Sequence, residues 1–169
     1  MNRSSGVSDT LGPVTSWADF AAAEPDFATR AQALFDAGRH KTIATLSGDG
    51  SPRISGIECE FVADHLQFGT MPDARKGADL ARDPRFALHG PTFHPEVGKE
   101  HEWVGEAKVT GRAESAGPIL GDDAGEGPKG EMFTTDIESV AITGLDDTGT
   151  RLRIEWWTPS SGRQVLERD

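Results

Sequence analysis

Apolar residues change their spacing twice along this chain, and each change marks a new kind of element. Near the N-terminus, Trp17, Phe20 and Ala21 are followed by Phe27, Ala31, Leu34 and Phe35, a helical spacing. Thr15 or Ser16 can cap the first of these two helices. Pro25 stands where a helix tolerates proline, and Gly38 ends the second. From residue 41 the period drops to two. KTIATLS (41–47) reads as a strand, and Gly48-Asp49-Gly50 as a hairpin turn. A second strand is expected from about Arg53 to Ala63, with Ser55, Ile57, Cys59 and Phe61 on one face and Glu58 and Glu60 on the other. HLQFGT (65–70) makes a third.

A helix over about 73–83 follows, with Asp73 at its start and Asp83-Pro84 as its stop. RFALHG (85–90) is a fourth strand, and the Pro- and Gly-bearing residues 91–101 a loop. The clearest alternation of all comes next: Trp103, Gly105, Ala107, Val109, Gly111 and Ala113 against Glu106, Lys108, Thr110, Arg112 and Glu114. Residues 115–130, rich in Gly and Asp, read as an exposed excursion. Strands over about 136–145 and 151–157 close the chain, joined by Asp146-Asp147-Thr148-Gly149. Strands linked by short turns pair antiparallel. The expectation is therefore a mainly β (α+β) protein: a split antiparallel β-barrel of six to seven strands, with N-terminal helices and a capping helix at about 73–83. The 169 residues suffice for one domain over 15–169 behind a flexible lead, 1–14.

Charge narrows the function classes. The formal net charge is −11, which disfavours nucleic acid or an anionic membrane as partner. No stretch approaches the ~18 apolar residues of a membrane span, and residues 1–13 lack the apolar centre of a signal peptide. The single cysteine, Cys59, precludes an internal disulfide, fits a reducing cytoplasm, and falls among apolar positions as a small core residue. Against this acidic background the cations stand out: Arg53, with Ser55, on one strand, and Arg75 and Lys76 at a helix start. Arginine grips phosphate as a planar fork, lysine as a point charge, and helix N-termini favour anions. Arg53, Ser55, Arg75 and Lys76 are thus candidates to converge on one phosphate.

Other chemistry has less to support it. Glu58 and Glu60 read as a solvated strand face rather than an acid–base pair. His89, His94 and His101 match no closed zinc spacing, so no metal is expected. Neither a dinucleotide-binding glycine motif nor a P-loop is present. Trp156 and Trp157 face opposite sides of a strand. Trp156 is assigned to the core.

Four segments carry a resemblance: KTIATLSGDGSPRIS, LQFGTMPDARKGADLARDPRFAL, EWVGEAKVTGRAE and LRIEWW. In order and spacing the chain resembles the pyridoxamine 5′-phosphate oxidase-like superfamily, the split β-barrel flavin-binding proteins, over about residues 27–163. The resemblance implies that Arg53 contacts the flavin phosphate, and that Ile54 and Ser55 lie along the ribityl chain or ring edge. It implies that Gly69, Thr70 and Met71 form a turn the cofactor approaches, and that Arg75 and Lys76 grip the phosphate. It implies that Trp157 reaches the flavin of the other subunit of a homodimer with cofactor sites at its interface. The flavin carries the chemistry, so no catalytic side chain is required.

The chain departs from the vitamin B6 oxidases themselves. Glu58 stands where they carry a basic residue, and Glu106 where they carry Gln. Of their C-terminal Arg-x-His-x-Arg signature only Arg163 matches, the other positions being Val165 and Glu167. The expected reading is an FMN-dependent oxidoreductase of the bacterial type of unassigned substrate, acting on a small molecule, with Arg163 as the candidate substrate contact. A deazaflavin in place of FMN, or a non-catalytic flavin- or haem-binding module, are the alternatives.

Overall fold

The computed structural model describes residues 12–120, 127 and 129–169. Three helices and nine strands are described: α1 (Trp17–Ala23), α2 (Pro25–Asp36), β1 (Lys41–Leu46), β2 (Pro52–Ile57), β3 (Cys59–Val62), β4 (His65–Thr70), α3 (Arg75–Arg82), β5 (Arg85–His89), β6 (Glu106–Ile119), β7 (Gly130–Leu145), β8 (Leu152–Thr158) and β9 (Gly162–Arg168). Every strand pairing is antiparallel.

The split in the barrel has a visible cause. β6 and β7 form one long hairpin. On its other edge β7 pairs with β4 through Glu131–Thr134 and with β8 through Val140–Leu145. One strand thus serves two separate neighbours, and the sheet forks. Along the main path the order is β2-β1-β5-β6-β7-β4-β3, with β8 and β9 branching from β7. β2 and β3 lie at the two ends of that path yet adjoin in sequence through Glu58.

The core follows the alternation. Ala107, Val109 and Ala113 of β6 face inward with Ile43, Leu66, Phe68, Leu88, Phe133, Ile137 and Val140, all buried. Phe20, Phe27 and Phe35 seal the assembly from α1 and α2, with Trp17 set on the Phe61 ring at 4.4 Å between centroids. Ser16 is the residue that caps α1, its hydroxyl accepting the Asp19 N–H at 3.0 Å.

Several expectations shift. Nine strands are found among the described residues, more than the six or seven expected. The second expected strand breaks at Glu58, though its alternation continues across the break. α3 starts at Arg75 with Ala74 at its cap, because Asp73 lies in the left-handed region (φ 57°) and cannot cap it. β6 and β7 run to Ile119 and from Gly130, so the expected excursion shrinks to a hairpin end. Its residues 121–126 and 128 fall outside the described residues, as do 1–11 of the expected lead. β9 was not expected at all. Exposed or half-exposed at every position, it gives no alternation to read.

Candidate functional site

Two glycines converge on Thr70, the last residue of β4, and shape the site. A Cβ on Gly77 would lie 2.9 Å from the Thr70 hydroxyl oxygen, and one on Gly130 only 1.8 Å from the Thr70 carbonyl oxygen. No side chain fits at Gly130, so α3 and the start of β7 both close onto the same buried threonine. The residues just before these glycines are Lys76 and Lys129. Lys76 reaches across to β2, its Nζ donating to the Gly56 carbonyl at 2.9 Å.

Between β2, β3, β4, α3 and the β6–β7 hairpin lies a cavity of about 750 Å³. Its charges are unevenly placed. Lys76 and Lys129 line it beside Thr70 and Met71. Glu60, paired across the strands with Gln67 at 2.8 Å, lines it three residues back along β4. Glu58 adjoins that side and is held by Arg39 at 2.9 Å, with His40 at 3.8 Å. At ~3.3 Å per strand residue, about 10 Å separates Gln67 from Thr70. The wall between is apolar, from Met71, Ile119 and Met132. Gly56 leaves it open, since no atom lies within 4 Å of where its Cβ would stand. Cys59 also lines the cavity, half-buried against the core rather than within it. Burial pushes its thiol up to about 11, so it is a weak nucleophile at neutral pH.

Arg53 stands elsewhere. It lies on the other side of β2 from Gly56, and its Nε donates to Asp79 Oδ2 of α3 at 2.6 Å. A terminal nitrogen donates to Ser47 Oγ at 2.9 Å. Thr45 Oγ1 donates to the same Asp79 oxygen at 2.9 Å, and Arg82 donates to Oδ1 at 3.2 Å and to the Leu46 carbonyl. Asp79 is 3% exposed. Burial alone would raise its pKa, but the hydrogen bonds from Arg53, Thr45 and Arg82 outweigh it and hold the carboxyl below the usual range. This network ties the β1–β2 hairpin to α3.

The cavity therefore gathers Gly69, Thr70, Met71 and Lys76 of the residues expected from sequence, and not Arg53, Ile54, Ser55, Arg75, Trp157 or Arg163. Ile54 points outward, 76% exposed. Ser55 shares the Arg53 side of β2, half-buried, and Arg75 is exposed on the first turn of α3. Trp157 is buried in its own chain's core, 4.8 Å from the Phe20 ring between centroids. Trp156 is the outward-facing member of the pair, the reverse of its expected core placement. Arg163 belongs to a second carboxylate-centred cluster. Its Nε lies 3.4 Å from buried Glu155, which also takes a bidentate grip from Arg30 at 2.7 and 3.0 Å. Hydrogen bonding to Arg30 holds Glu155 below the usual carboxylate range against the effect of burial. Among the described residues no group of His, Cys, Asp and Glu could hold a metal ion.

Sequence reasoning missed Lys129 as a cavity residue, Gly130 as its neighbour against Thr70, and Arg39 and His40 as cavity residues. The signal for the first two was a lysine before a glycine at the end of a turn-rich segment. For the last two it was an Arg-His pair between a helix stop and a strand.

No protein-family model and no curated protein matches the chain. Solved structures do. PhzG from Burkholderia lata 383, in complex with tetrahydrophenazine-1-carboxylic acid, is 14% identical, with 95% of this chain and 98% of that chain covered at a TM-score of 0.59. A pyridoxamine 5′-phosphate oxidase-related, FMN-binding protein from Nostoc punctiforme PCC 73102 is 11% identical, with 95% and 99% covered at a TM-score of 0.55. HupZ from Group A Streptococcus is 12% identical, with 66% and 90% covered at a TM-score of 0.50. At these identities the likeness concerns architecture alone: the chain shares the mainly β, split-barrel fold of these solved structures.

Proposed function

We propose that the chain is a flavin-dependent oxidoreductase acting on a small organic molecule in the cytoplasm, with FMN in the cavity beside α3. The observation that carries this reading is the cavity itself. Its volume of about 750 Å³ lies within the range of cofactor and ligand pockets. It joins an anion-binding corner at Lys76 to an apolar wall, which suits a phosphate joined to a flat ring system. In a chain of net charge −11, an ammonium placed at such a corner favours an anion.

The residues present fit that group. Lys76 would hold the phosphate end, with Arg75 on the same helical turn adding positive potential. Gly69, Thr70 and Met71 would present backbone to the cofactor, and Gly56 leaves room for its approach. Ile119 and Met132 would flank the ring and exclude water. When bound, FMN supplies the redox chemistry, and the chain binds, orients and shields. Arg163 is tied to Glu155 and Glu24, so the substrate-binding role implied for it is not part of the proposal.

The reading includes a homodimer. On the outer face of the sheet Trp156 sits opposite Ala141, and Ile154 opposite Leu166, a half-exposed apolar patch. Trp156→Glu is expected to convert a dimer to a monomer in sedimentation velocity. A monomeric wild type would remove this part of the reading.

The central test is spectroscopic. The purified protein, or protein incubated with FMN, is expected to show flavin absorbance at one cofactor per chain and to quench flavin fluorescence saturably. Protein that ignores FMN and takes up a deazaflavin, or shows a Soret band after haem is added, would overturn the assignment of FMN. Reduction of the bound flavin by a nicotinamide nucleotide, with turnover of an added acceptor, separates an enzyme from a carrier.

A further inference from the structure

We propose that Lys129, at the end of the β6–β7 hairpin, is the second cation for the phosphate monoester, in the position the resemblance gives to Arg53. The inference rests on the reading of the cavity as a flavin phosphate site.

Three observations lead to it. Arg53 is committed: two of its nitrogens are taken by Asp79 and Ser47, and turning it toward a ligand would strip a buried carboxylate of its shortest bond. Lys129, by contrast, lines the cavity. Finally, Gly77 and Gly130 both abut Thr70, so the residues preceding them, Lys76 and Lys129, start from the same end of the cavity on separate elements.

Two ammonium groups from separate elements suit a dianion better than one, because each can meet a different phosphate oxygen. The far side of the cavity fixes the orientation. Glu58 and Glu60, two carboxylates against the one guanidinium of Arg39, would repel the phosphate there. The hairpin that carries Lys129 also carries Ile119 and Met132 of the apolar wall, so one element would hold the anion and cover the ring.

The test compares FMN with riboflavin, which differ only in the phosphate, by fluorescence titration of the full chain. Wild type is expected to prefer FMN. Lys129→Ala should lower FMN affinity by about tenfold or more, the scale of a charge-assisted hydrogen bond, and leave riboflavin affinity unchanged. Lys129→Arg should keep the preference. Arg53→Ala should leave the ratio of the two affinities within about threefold. An unchanged ratio in Lys129→Ala, or a ratio collapsed by Arg53→Ala with thermal stability retained, would overturn the proposal.

A chain that binds neither flavin would end the flavin reading and not this one. Phenyl phosphate, titrated into wild type and Lys129→Ala by calorimetry, then decides. Loss of binding in the variant supports the lysine pair. Equal binding, or none to wild type, refutes it.

Discussion

Two sets of basic side chains meet α3, and they do opposite things. On one side Arg53 and Arg82 converge on a buried carboxylate, Asp79, and bind the β1–β2 hairpin to the helix. On the other, Lys76 rests on a backbone carbonyl at the edge of a cavity that Lys129 also lines. In the sequence these cations look alike. Their counter-charges separate them: a guanidinium that closes on a buried carboxylate is part of the fold, whereas an ammonium held by a neutral carbonyl keeps its charge available to an anion.

If that division is right, the largest effect belongs to the hub. Asp79→Ala leaves Arg53 and Arg82 without their carboxylate, and both are only partly exposed. A loss of about 3 kcal/mol is expected, the lower end for a broken buried pair because both arginines can still reach water, and with it a fall of ~6–12 °C in Tm. Calorimetric melting measures it. A loss below 1 kcal/mol would show that the network is dispensable and that Arg53 is free to serve a ligand.

Lys76→Ala and Arg53→Ala make the sharpest contrast. Lys76→Ala should weaken FMN binding by ~1.5–3 kcal/mol, or roughly 10- to 150-fold, with stability changed by less than ~0.5 kcal/mol. Arg53→Ala should do the reverse, lowering stability by about 2 kcal/mol while FMN affinity holds. Paired melting and fluorescence titrations of the two variants decide it. Matching profiles in both variants would erase the distinction between hub and rim.

The division explains what the sequence could and could not convey. The helices, the Gly48-Asp49-Gly50 hairpin and the alternation of β6 were legible, because each is set by local spacing and confirmed by the burial of Phe27, Ile43 and Val109. The place of Lys76 was legible too, since a helix start with a cation is a local feature. Asp79 was not. In Lys-Gly-Ala-Asp-Leu it reads as an ordinary surface aspartate, and only the closure of β1–β2 over α3 buries it. The phase of the tryptophan pair was likewise hidden: alternation says that Trp156 and Trp157 face apart, while the packing of α1 against β8 decides which goes in. Lys129 lay in a stretch whose glycines suggested an excursion, and its role depends on Gly130 meeting Thr70, sixty residues earlier.

A smaller effect concerns pH. Asp79 and Glu155 both have carboxyl groups held below their ordinary range, Asp79 against burial by Arg53, Thr45 and Arg82, and Glu155 chiefly by Arg30. Between their folded and unfolded values the unfolded chain binds more protons. Their contribution is therefore complete above the unfolded value, near pH 4–4.5, and lost as pH falls through the lower folded values. Melting temperature is expected to be level from about pH 7 to 5 and to drop steeply below ~4, and Asp79→Ala should flatten that drop. An identical acid limb in the variant would remove Asp79 as a source.

The smallest effect falls at the far side of the cavity. Arg39 and Glu58 lie 2.9 Å apart, but their side chains are 77% and 51% exposed, so water competes for both. Such a pair contributes ~0.2–1 kcal/mol at most, and salt screens it further. Arg39→Ala should therefore shift stability by less than ~0.5 kcal/mol. Its effect on ligand binding separates two ways in which a cavity attracts an anion. If the phosphate is held at the corner by contact with Lys76 and Lys129, Arg39 acts only through the long-range field, and FMN affinity should fall by less than about threefold, with the difference vanishing at 0.5 M salt. A tenfold loss that persists at that salt would mean that the anion sits beside Arg39, at the carboxylate side of the cavity, and would reverse the orientation assigned to the ligand.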